Sequence, residues 1–371
     1  MNPLFTPTRV GPYPLEHRVV LAPLTRMRTD AHNVPGDLMV EYYAQRATEG
    51  GLLISDATAV SPLGIAYAGA PGIFSHAQVR GWQRVTAAVH AKGGRIFLQL
   101  WHAGRQAHPA NIGGAAPVAP SAIRAYEQAA ILDGDGQVID AEQVMPRALT
   151  LDEIPAVIDE FRRGAALARL AGFDGVELHA ANGYLLDQFL LDGSNHRTDL
   201  YGGPIENRAR FLFDVLDAVV AEWGANRVGV RLSPSGTYGT MSDSDPLATY
   251  GHVVRRLDHY RLAYLHTIEP RIRGNEDADG SAAAVSTADV RGWYTGTLIT
   301  AGGFDAHGAQ QAVAGRAADL VAFGRLFISN PDLPARLRHG APLSGYDRST
   351  FYGGGARGYT DYAAHAAAAS A

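Results

Sequence analysis

Short apolar segments alternate with longer amphipathic segments along nearly the whole chain, and this alternation constrains the fold more than any other feature. Most of the apolar segments are continuous, as expected for parallel strands that are covered on both faces. Eight strands are predicted, over residues 18–22, 52–57, 95–101, 175–179, 227–232, 263–267, 297–301 and 320–323. Eight strand–helix repeats predict an α/β fold of the (β/α)8 TIM barrel type, because the main alternative, a doubly wound sheet, more often stops at five or six strands.

The segments between the predicted strands have the apolar spacing of amphipathic helices. The clearest cover residues 78–91, 151–170 and 206–223. The second opens with a capping-box pattern, Thr150-Leu151-Asp152-Glu153. These helices are expected to cover the outer face of the barrel.

One connection is much longer than the others and covers about residues 104–146. It contains Asp133-Gly134-Asp135-Gly136, and Asp-Gly pairs are typical of hairpin turns. Long connections in compact domains are usually functional or disordered. The sequence therefore predicts a single domain over residues 1–371, with a β-hairpin-containing cap inserted after the third strand.

Composition excludes several classes of protein. The chain has no cysteine, so disulfides, cysteine-ligated zinc and thiolate-bound iron–sulfur clusters are excluded, and no metal-ligand spacing is found. A net charge of −5 gives no basic surface for nucleic acid. No apolar run approaches the roughly 18 residues of a membrane helix, and the start shows no secretory signal, so a cytoplasmic location is expected. Lys92 is the only lysine, which excludes a Schiff-base mechanism at any other position.

The most informative polar residues follow the fourth predicted strand. They are His179, Asn182 and Tyr184. In a barrel, the carboxyl end of a strand faces the bound ligand. His179 and Asn182 can both donate hydrogen bonds to one oxygen, and Tyr184 can supply a proton nearby. The alternative is a buried histidine, an asparagine in a turn and a packed aromatic ring.

Other strand ends indicate an anionic ligand. Gly302-Gly303 follows the seventh strand and Gly324-Arg325 follows the eighth, a pattern typical of the barrel phosphate site; two tight turns with an exposed arginine are the alternative. Arg231 lies within an apolar run, so it needs an anion when buried. That anion is either a carboxylate, such as Glu177 or Glu269, or the anionic edge of a ring.

Several motifs in the same order resemble the old yellow enzyme family of flavin-dependent ene-reductases. They lie at residues 4–7, 22–26, 69–72, 98–105, 176–184, 195–203, 206–208, 322–325, 330–333 and 351–355. The chain is most similar to the bacterial branch that contains pentaerythritol tetranitrate, N-ethylmaleimide and morphinone reductases. The resemblance implies a (β/α)8 barrel that binds FMN and is reduced by NADPH or NADH. It also implies reduction of the activated C=C bond of small electrophilic alkenes such as enals, enones and maleimides.

The resemblance also assigns roles to residues. The flavin ring would be lined by Pro23, Leu24, Thr25, Ala57, Gln99 and Arg231, and the FMN phosphate would be held by Gly302, Gly303, Gly324 and Arg325. His179 and Asn182 would bind the substrate oxygen, and Tyr184 would donate the proton. The substrate pocket would be shaped by Tyr67, Trp101 and Tyr352.

Two other functions are compatible with the residues alone. One is a flavin-free phosphate-binding barrel, such as an aldolase or isomerase; the other is a non-catalytic barrel that binds FMN or a steroid-like ligand. The His–Asn pair replaces the His–His pair of some family members, which leaves the balance between enone, nitro and nitrate-ester substrates open. Residues 119–144 match the family poorly, so substrate size is not predicted. The choice between NADPH and NADH is not predicted, and the oligomeric state is not predicted either.

Overall fold

Eight parallel strands form a closed barrel in the computed structural model, which describes residues 2–134, 138–274, 276–278 and 285–365. The barrel strands are β1 (Val19–Leu21), β2 (Leu52–Ala59), β3 (Arg95–Trp101), β4 (Gly175–Ala180), β5 (Val228–Leu232), β6 (Tyr264–Ile268), β7 (Leu298–Ala301) and β8 (Leu320–Phe323). Each strand pairs with the next, and β8 pairs with β1 to close the barrel. The predicted barrel is confirmed, and no predicted strand end is wrong by more than two residues.

Helices cover the outside of the barrel. They are α1 (Asp37–Arg46), α2 (His76–His90), α3 (Ile154–Leu170), α4 (Leu185–Leu190), α5 (Ile205–Arg208), α6 (Arg210–Trp223), α7 (Pro246–Asp258), α8 (Thr287–Trp293), α9 (Ala306–Ala314), α10 (Arg325–Ser329) and α11 (Leu333–His339). Their apolar faces pack on the strands in one continuous core. Within the described ranges, no helix combines the length and the hydropathy that a bilayer span requires.

Two helix predictions need correction. The predicted helix over residues 206–223 is divided at Ala209 into α5 and α6, although Ala209 keeps helical dihedral angles. The predicted capping box before α3 is only half formed. The Glu153 carboxylate accepts the backbone N–H of Thr150 at 2.8 Å, but the Thr150 hydroxyl donates to that carboxylate instead of capping the helix.

Two antiparallel ribbons lie at opposite ends of the barrel. Strands Thr8–Val10 and Tyr13–Leu15 close the amino-terminal end, where Val10 and Leu15 pack against the barrel interior. Strands Gln128–Leu132 and Val138–Glu142 form the hairpin predicted in the long connection. Asp133 and Gly134 follow its first strand, while Asp135 and Gly136 lie outside the described residues.

Two further strand pairs complete the carboxyl-terminal face. Val118–Ala119 pairs with Arg147–Ala148 at the base of the long connection. Ile272–Arg273 pairs with Glu276–Asp277 in the connection after β6. Together with the hairpin, the ribbon after β6 borders the mouth of the barrel.

Candidate active site

A cavity of about 570 Å³ opens at the carboxyl-terminal end of the strands. Ligand pockets of this size hold a cofactor or small substrate. Fifteen of the sixteen predicted site residues lie on its wall: Pro23, Leu24, Thr25, Ala57, Tyr67, Gln99, His179, Asn182, Tyr184, Arg231, Gly302, Gly303, Gly324, Arg325 and Tyr352. The structure therefore brings together residues from seven barrel strands or the turns that follow them, the Tyr67 loop and the carboxyl-terminal segment.

The loop after β4 is held by backbone contacts that leave its side chains facing the cavity. Asn182 adopts a left-handed conformation, with φ of 55°, which asparagine tolerates better than most residues. Its N–H donates to the Ser233 hydroxyl at 2.8 Å, and its carbonyl accepts from the Gln106 amide at 2.9 Å. Gly183 follows with φ of 72°, and a Cβ there would fall 2.5 Å from the Tyr238 carbonyl oxygen. The asparagine carboxamide thus projects from a fixed backbone.

His179 is buried and has hydrogen-bonding capacity to spare. Its Nδ1 has no hydrogen-bond partner within the described ranges. Burial lowers the pKa of His179 well below its usual range, and the nearby Arg231 guanidinium and His266 lower it further. The imidazole is therefore neutral at neutral pH and can donate from one ring nitrogen.

Three tyrosines form a row beside His179. The Tyr184 and Tyr67 hydroxyls lie 3.0 Å apart, and the Tyr67 and Tyr238 hydroxyls lie 3.5 Å apart. Burial raises the pKa of Tyr184 above its usual range. The Tyr184 phenol is thus fully protonated at neutral pH, as a proton donor must be.

Trp101 does not lie on the cavity wall. Its ring packs edge-on against Tyr184 at 5.2 Å between centroids and stacks on Tyr67 at 6.0 Å. It contacts Tyr67 and Tyr184, which do line the cavity, so an influence of Trp101 on the pocket would be exerted through them. It supports their positions.

The turn after β1 is fixed by a buried carboxylate on β2. Asp56 accepts the backbone N–H of Arg26 at 2.9 Å and the Tyr43 hydroxyl at 2.5 Å. A shift in the β2–β3 register after Ile54 precedes Ala57. The Asp56 contact thus anchors the end of the turn whose residues Pro23 to Thr25 line the cavity, as Ala57 does.

Arg231 is buried, and its Nε has no partner in the described part of the chain. Neither of the two carboxylates considered as its partners, Glu177 and Glu269, accepts a hydrogen bond from Arg231. Glu177 instead accepts from the Gln99 amide at 2.7 Å and from His266 at 2.9 Å, and Glu269 accepts from Thr300. A buried guanidinium with spare donors favours a ligand that brings acceptors or negative charge.

The turns after β7 and β8 form the opposite part of the wall. Gly302 and Gly303 have positive φ, and a Cβ on Gly302 would fall 2.9 Å from the side chain of Glu269. Arg325 lies beside them and binds the exposed carboxylate of Asp277 through two hydrogen bonds, of 2.6 and 3.2 Å. The backbone can thus approach an anion closely, and a cation lies at the same place.

These observations agree with the chemistry of FMN. The unsatisfied Arg231 and the Gln99 amide suit the polar edge of a flat heteroaromatic ring. The glycine pair, Gly324 and Arg325 suit a phosphate at the end of a flexible chain. The residues present therefore fit this cofactor.

Some wall residues were not predicted from the sequence. Tyr238 comes from the loop after β5, and Gln128, Ala130 and Asp140 come from the hairpin. The predicted cap could have indicated the hairpin residues, because the connection after the third strand covers this face. No sequence signal distinguishes Tyr238.

The carboxyl-terminal segment supplies Phe351 and Tyr352 to the wall. Its carbonyls are held by two arginines from the loop after β1. Arg26 Nε donates to the Phe351 carbonyl at 2.8 Å, and Arg28 donates to the Thr350 and Phe351 carbonyls at 2.8 and 3.1 Å. Tyr352 itself is half exposed at the cavity mouth.

Comparison with known families gives one family match over most of the chain. The model described as the NADH:flavin oxidoreductase / NADH oxidase family matches residues 3–344. Among curated relatives, flavin oxidoreductase hxnT of Emericella nidulans is 47% identical and covers 98% of this chain and 97% of its own length. The 12-oxophytodienoate reductase 1 of Oryza sativa subsp. japonica is 47% identical, over 97% of this chain and 92% of the relative.

Solved structures give the same result. Morphinone reductase superposes with a TM-score of 0.93 at 47% identity, covering 98% of this chain and 97% of its own. The old yellow enzyme homologue from Zymomonas mobilis superposes with a TM-score of 0.92 at 41% identity, over 98% and 99% of the two chains. Morphinone reductase has also been solved in complex with tetrahydroNAD.

Proposed function

Because this chain belongs to the NADH:flavin oxidoreductase / NADH oxidase family and is an FMN-dependent NAD(P)H ene-reductase of the old yellow enzyme type, we propose which of its side chains carry the reaction. The flavin-free barrel and the non-catalytic barrel are not favoured by these relatives. One observation supports the proposal most strongly. His179, Asn182 and Tyr184 face the same cavity as the unsatisfied Arg231 and the glycine turns.

Arg231 and Gln99 are proposed to bind the polar edge of the flavin, next to the segment from Pro23 to Thr25 and Ala57. Gly302, Gly303, Gly324 and Arg325 are proposed to bind its phosphate. Bound FMN supplies the chemistry of hydride transfer. Hydride is accepted from NADPH or NADH and is then passed to an activated C=C bond. The protein is proposed to supply orientation, hydrogen bonds and a proton.

His179 and Asn182 are proposed to donate hydrogen bonds to the oxygen that activates the alkene. A neutral imidazole and a carboxamide are both donors, and neither adds charge to the site before the reaction. Donors aimed at this oxygen stabilise the negative charge that develops on it as the β-carbon accepts hydride. Two observations support this role: both side chains lie on the cavity wall, and the Asn182 backbone is held by the Ser233 hydroxyl.

Tyr184 is proposed to protonate the α-carbon of the substrate. Its phenol is protonated, buried and in contact with Tyr67, which can return a proton after each turnover. Tyr67 and Tyr352 are proposed to contact substrate, with Trp101 supporting Tyr67 and Tyr184 from behind.

The substrates are proposed to be small electrophilic alkenes such as enals, enones and maleimides. The single FMN-binding domain over residues 1–371, with a cap at about 104–146, stays a prediction. So does the cytoplasmic location.

The test has two steps. Purified protein is titrated with FMN, and binding is followed by the visible absorbance of the bound flavin. The enzyme is then reduced with NADPH under anaerobic conditions and mixed with 2-cyclohexenone in a stopped-flow instrument. Reoxidation of the flavin by the enone, with formation of cyclohexanone, supports the proposal. Protein that stays colourless, or reduced flavin that the enone does not reoxidise, contradicts it.

A further inference from the structure

We propose that Glu177 lowers the reduction potential of the flavin in this cavity by offsetting the positive charge of Arg231. The inference rests on the proposed function, since it requires FMN to bind against Arg231 and Gln99. Glu177 would act through these neighbours without contacting substrate, so it is a positioning residue. The proposal follows from the buried pair of Glu177 and His266, to which the proposed mechanism assigns no role.

Glu177 lies in the middle of β4 and is completely buried. In the strand register it lies beside Gln99 on β3 and Gly229 on β5, while His179, two residues nearer the cavity, lies beside Arg231. The carboxylate is thus level with Gln99 and one layer below His179 and Arg231. Its two oxygens accept hydrogen bonds from Gln99 at 2.7 Å and from His266 at 2.9 Å.

The charge of this cluster follows from its contacts. Burial alone would raise the pKa of Glu177, but His266, Arg231 and the Gln99 amide together hold that pKa below its usual value. Burial lowers the pKa of His266, so its imidazole is neutral and donates Nδ1–H to the carboxylate. Glu177 is therefore the negative group and Arg231 the positive group, with neutral His266, His179 and Tyr264 around them.

Hydride transfer to the flavin delivers two electrons and one proton, which adds one negative charge to the site. Arg231 favours that added charge and Glu177 opposes it, because charges interact strongly where water is excluded. A carboxylate in this layer therefore makes the bound flavin harder to reduce. It also makes the reduced form a stronger hydride donor toward weakly activated alkenes.

The test is the midpoint potential of bound FMN in Glu177→Gln, measured by equilibration with a redox dye. Glutamine keeps the size of the side chain and can still accept from Gln99 while losing the charge. We expect the equilibrium constant for two-electron reduction to rise at least tenfold, which corresponds to about 30 mV. An unchanged or lower potential would overturn the proposal.

Two matched variants separate charge from hydrogen bonding. Glu177→Asp keeps the charge and should keep a potential near that of the wild type. His266→Asn replaces a neutral donor with another neutral donor, so its potential should also stay near the wild-type value. A fall of tenfold or more in the equilibrium constant of His266→Asn would mean that His266 carries the compensating charge, which contradicts the assignment.

A measurement on the wild-type enzyme covers the case in which Glu177→Gln does not fold. The potential is followed from pH 7.5 to 8.5. If the cluster stays charged as assigned, one proton is taken up for every two electrons. Uptake of two protons would mean that the added charge is neutralised by protonation, and the proposal would fail.

Wild-type protein that does not bind FMN overturns both this inference and the proposed function. Wild-type protein that binds FMN, together with an unshifted flavin potential in Glu177→Gln, overturns the inference alone.

Discussion

The hydroxyl oxygen of Tyr184 lies 3.0 Å from that of Tyr67, and within the described ranges no other hydrogen-bond partner of the Tyr184 phenol is found. Tyr67 in turn approaches Tyr238 at 3.5 Å, and the ring of Tyr238 lies 5.8 Å from the Arg273 guanidinium at the cavity mouth. The Tyr184 phenol is therefore the innermost of three tyrosine hydroxyls in a row, and the outermost tyrosine packs beside Arg273.

Replacing Tyr184 with phenylalanine should affect only one half of the catalytic cycle. Proton donation by a positioned side chain typically contributes 10²- to 10⁴-fold, so reoxidation of the reduced flavin by 2-cyclohexenone should slow by about that factor. Reduction of the flavin by NADPH requires no proton from Tyr184 and should keep its rate. Stopped-flow measurement of both half-reactions checks this. Tyr260→Phe, which removes a phenol far from the cavity, is the control, and equal slowing of both half-reactions would contradict the donor role.

His179→Ala should weaken the binding of phenols, since a phenolate oxygen resembles the oxygen on which charge develops. Hydrogen bonds to a charged group contribute about 1.5–3 kcal/mol, so Kd should rise by roughly 10- to 100-fold. Titration of the oxidised enzyme with a substituted phenol, followed by flavin absorbance, gives this value. The exposed His196 supplies the control variant His196→Ala. An unchanged Kd in His179→Ala would exclude the contact.

Arg325→Ala should weaken FMN binding, whereas Asp277→Asn should not. Removing the guanidinium should raise the Kd of FMN by about tenfold or more, because a charge-assisted contact to phosphate is lost. Asp277→Asn removes the carboxylate that competes for the same guanidinium, so it should leave the Kd unchanged or lower it. Fluorescence titration of apoprotein with FMN measures both. If Arg325→Ala binds FMN as tightly as the wild type, the phosphate is held elsewhere.

Stability should fall in mild acid because several histidines are buried in neutral form, and His17 and His102 give the size of the effect. Burial lowers the pKa of His102 to about 4 and that of His17 to about 4, from 6.5. Between these values the unfolded chain binds the extra protons, so the free energy of unfolding decreases as the pH drops below 6.5. Each histidine should cost roughly 2 to 3 kcal/mol by pH 4.5.

Denaturant unfolding at pH 7 and pH 4.5 checks this stability prediction. His102→Asn should show a smaller loss between the two pH values, since the Nδ1 that accepts the Gly104 N–H no longer has to stay unprotonated. The exposed His307 provides the comparison variant His307→Ala, which should lose as much stability as the wild type. A His102→Asn profile parallel to that of the wild type would argue against the assignment.

The barrel could be predicted because its strands are continuous apolar runs with polar residues at their carboxyl ends. His179 and Arg231 stand out in the sequence for that reason, and the structure places both on the cavity wall. The register between neighbouring strands cannot be predicted from such a pattern. The register puts Glu177 beside Gln99 and puts Arg231 beside His179. Glu177, one of the alternative partners considered for Arg231, therefore hydrogen-bonds to Gln99 and His266 instead.

Loop contacts were the other limit of sequence reasoning. Trp101 ends a predicted strand like a cavity residue, yet Tyr67 and Tyr184 cover it from two distant segments. Arg325 and Asp277 are 48 positions apart, and their pairing depends on how the ribbon after β6 folds back. Tyr238 reaches the site from a loop without any distinguishing pattern. Such contacts depend on tertiary structure that periodicity does not describe.

The hydrogen bonds from Arg26 and Arg28 to the Thr350 and Phe351 carbonyls have a consequence for biosynthesis. Segments near both ends of the chain contribute to one wall of the cavity, so the pocket is incomplete while the ribosome is still translating the barrel's final strand. A chain truncated before residue 351 would lose Phe351 and Tyr352 from this wall, together with the Phe351 and Gly358 carbonyls that accept hydrogen bonds from Arg26.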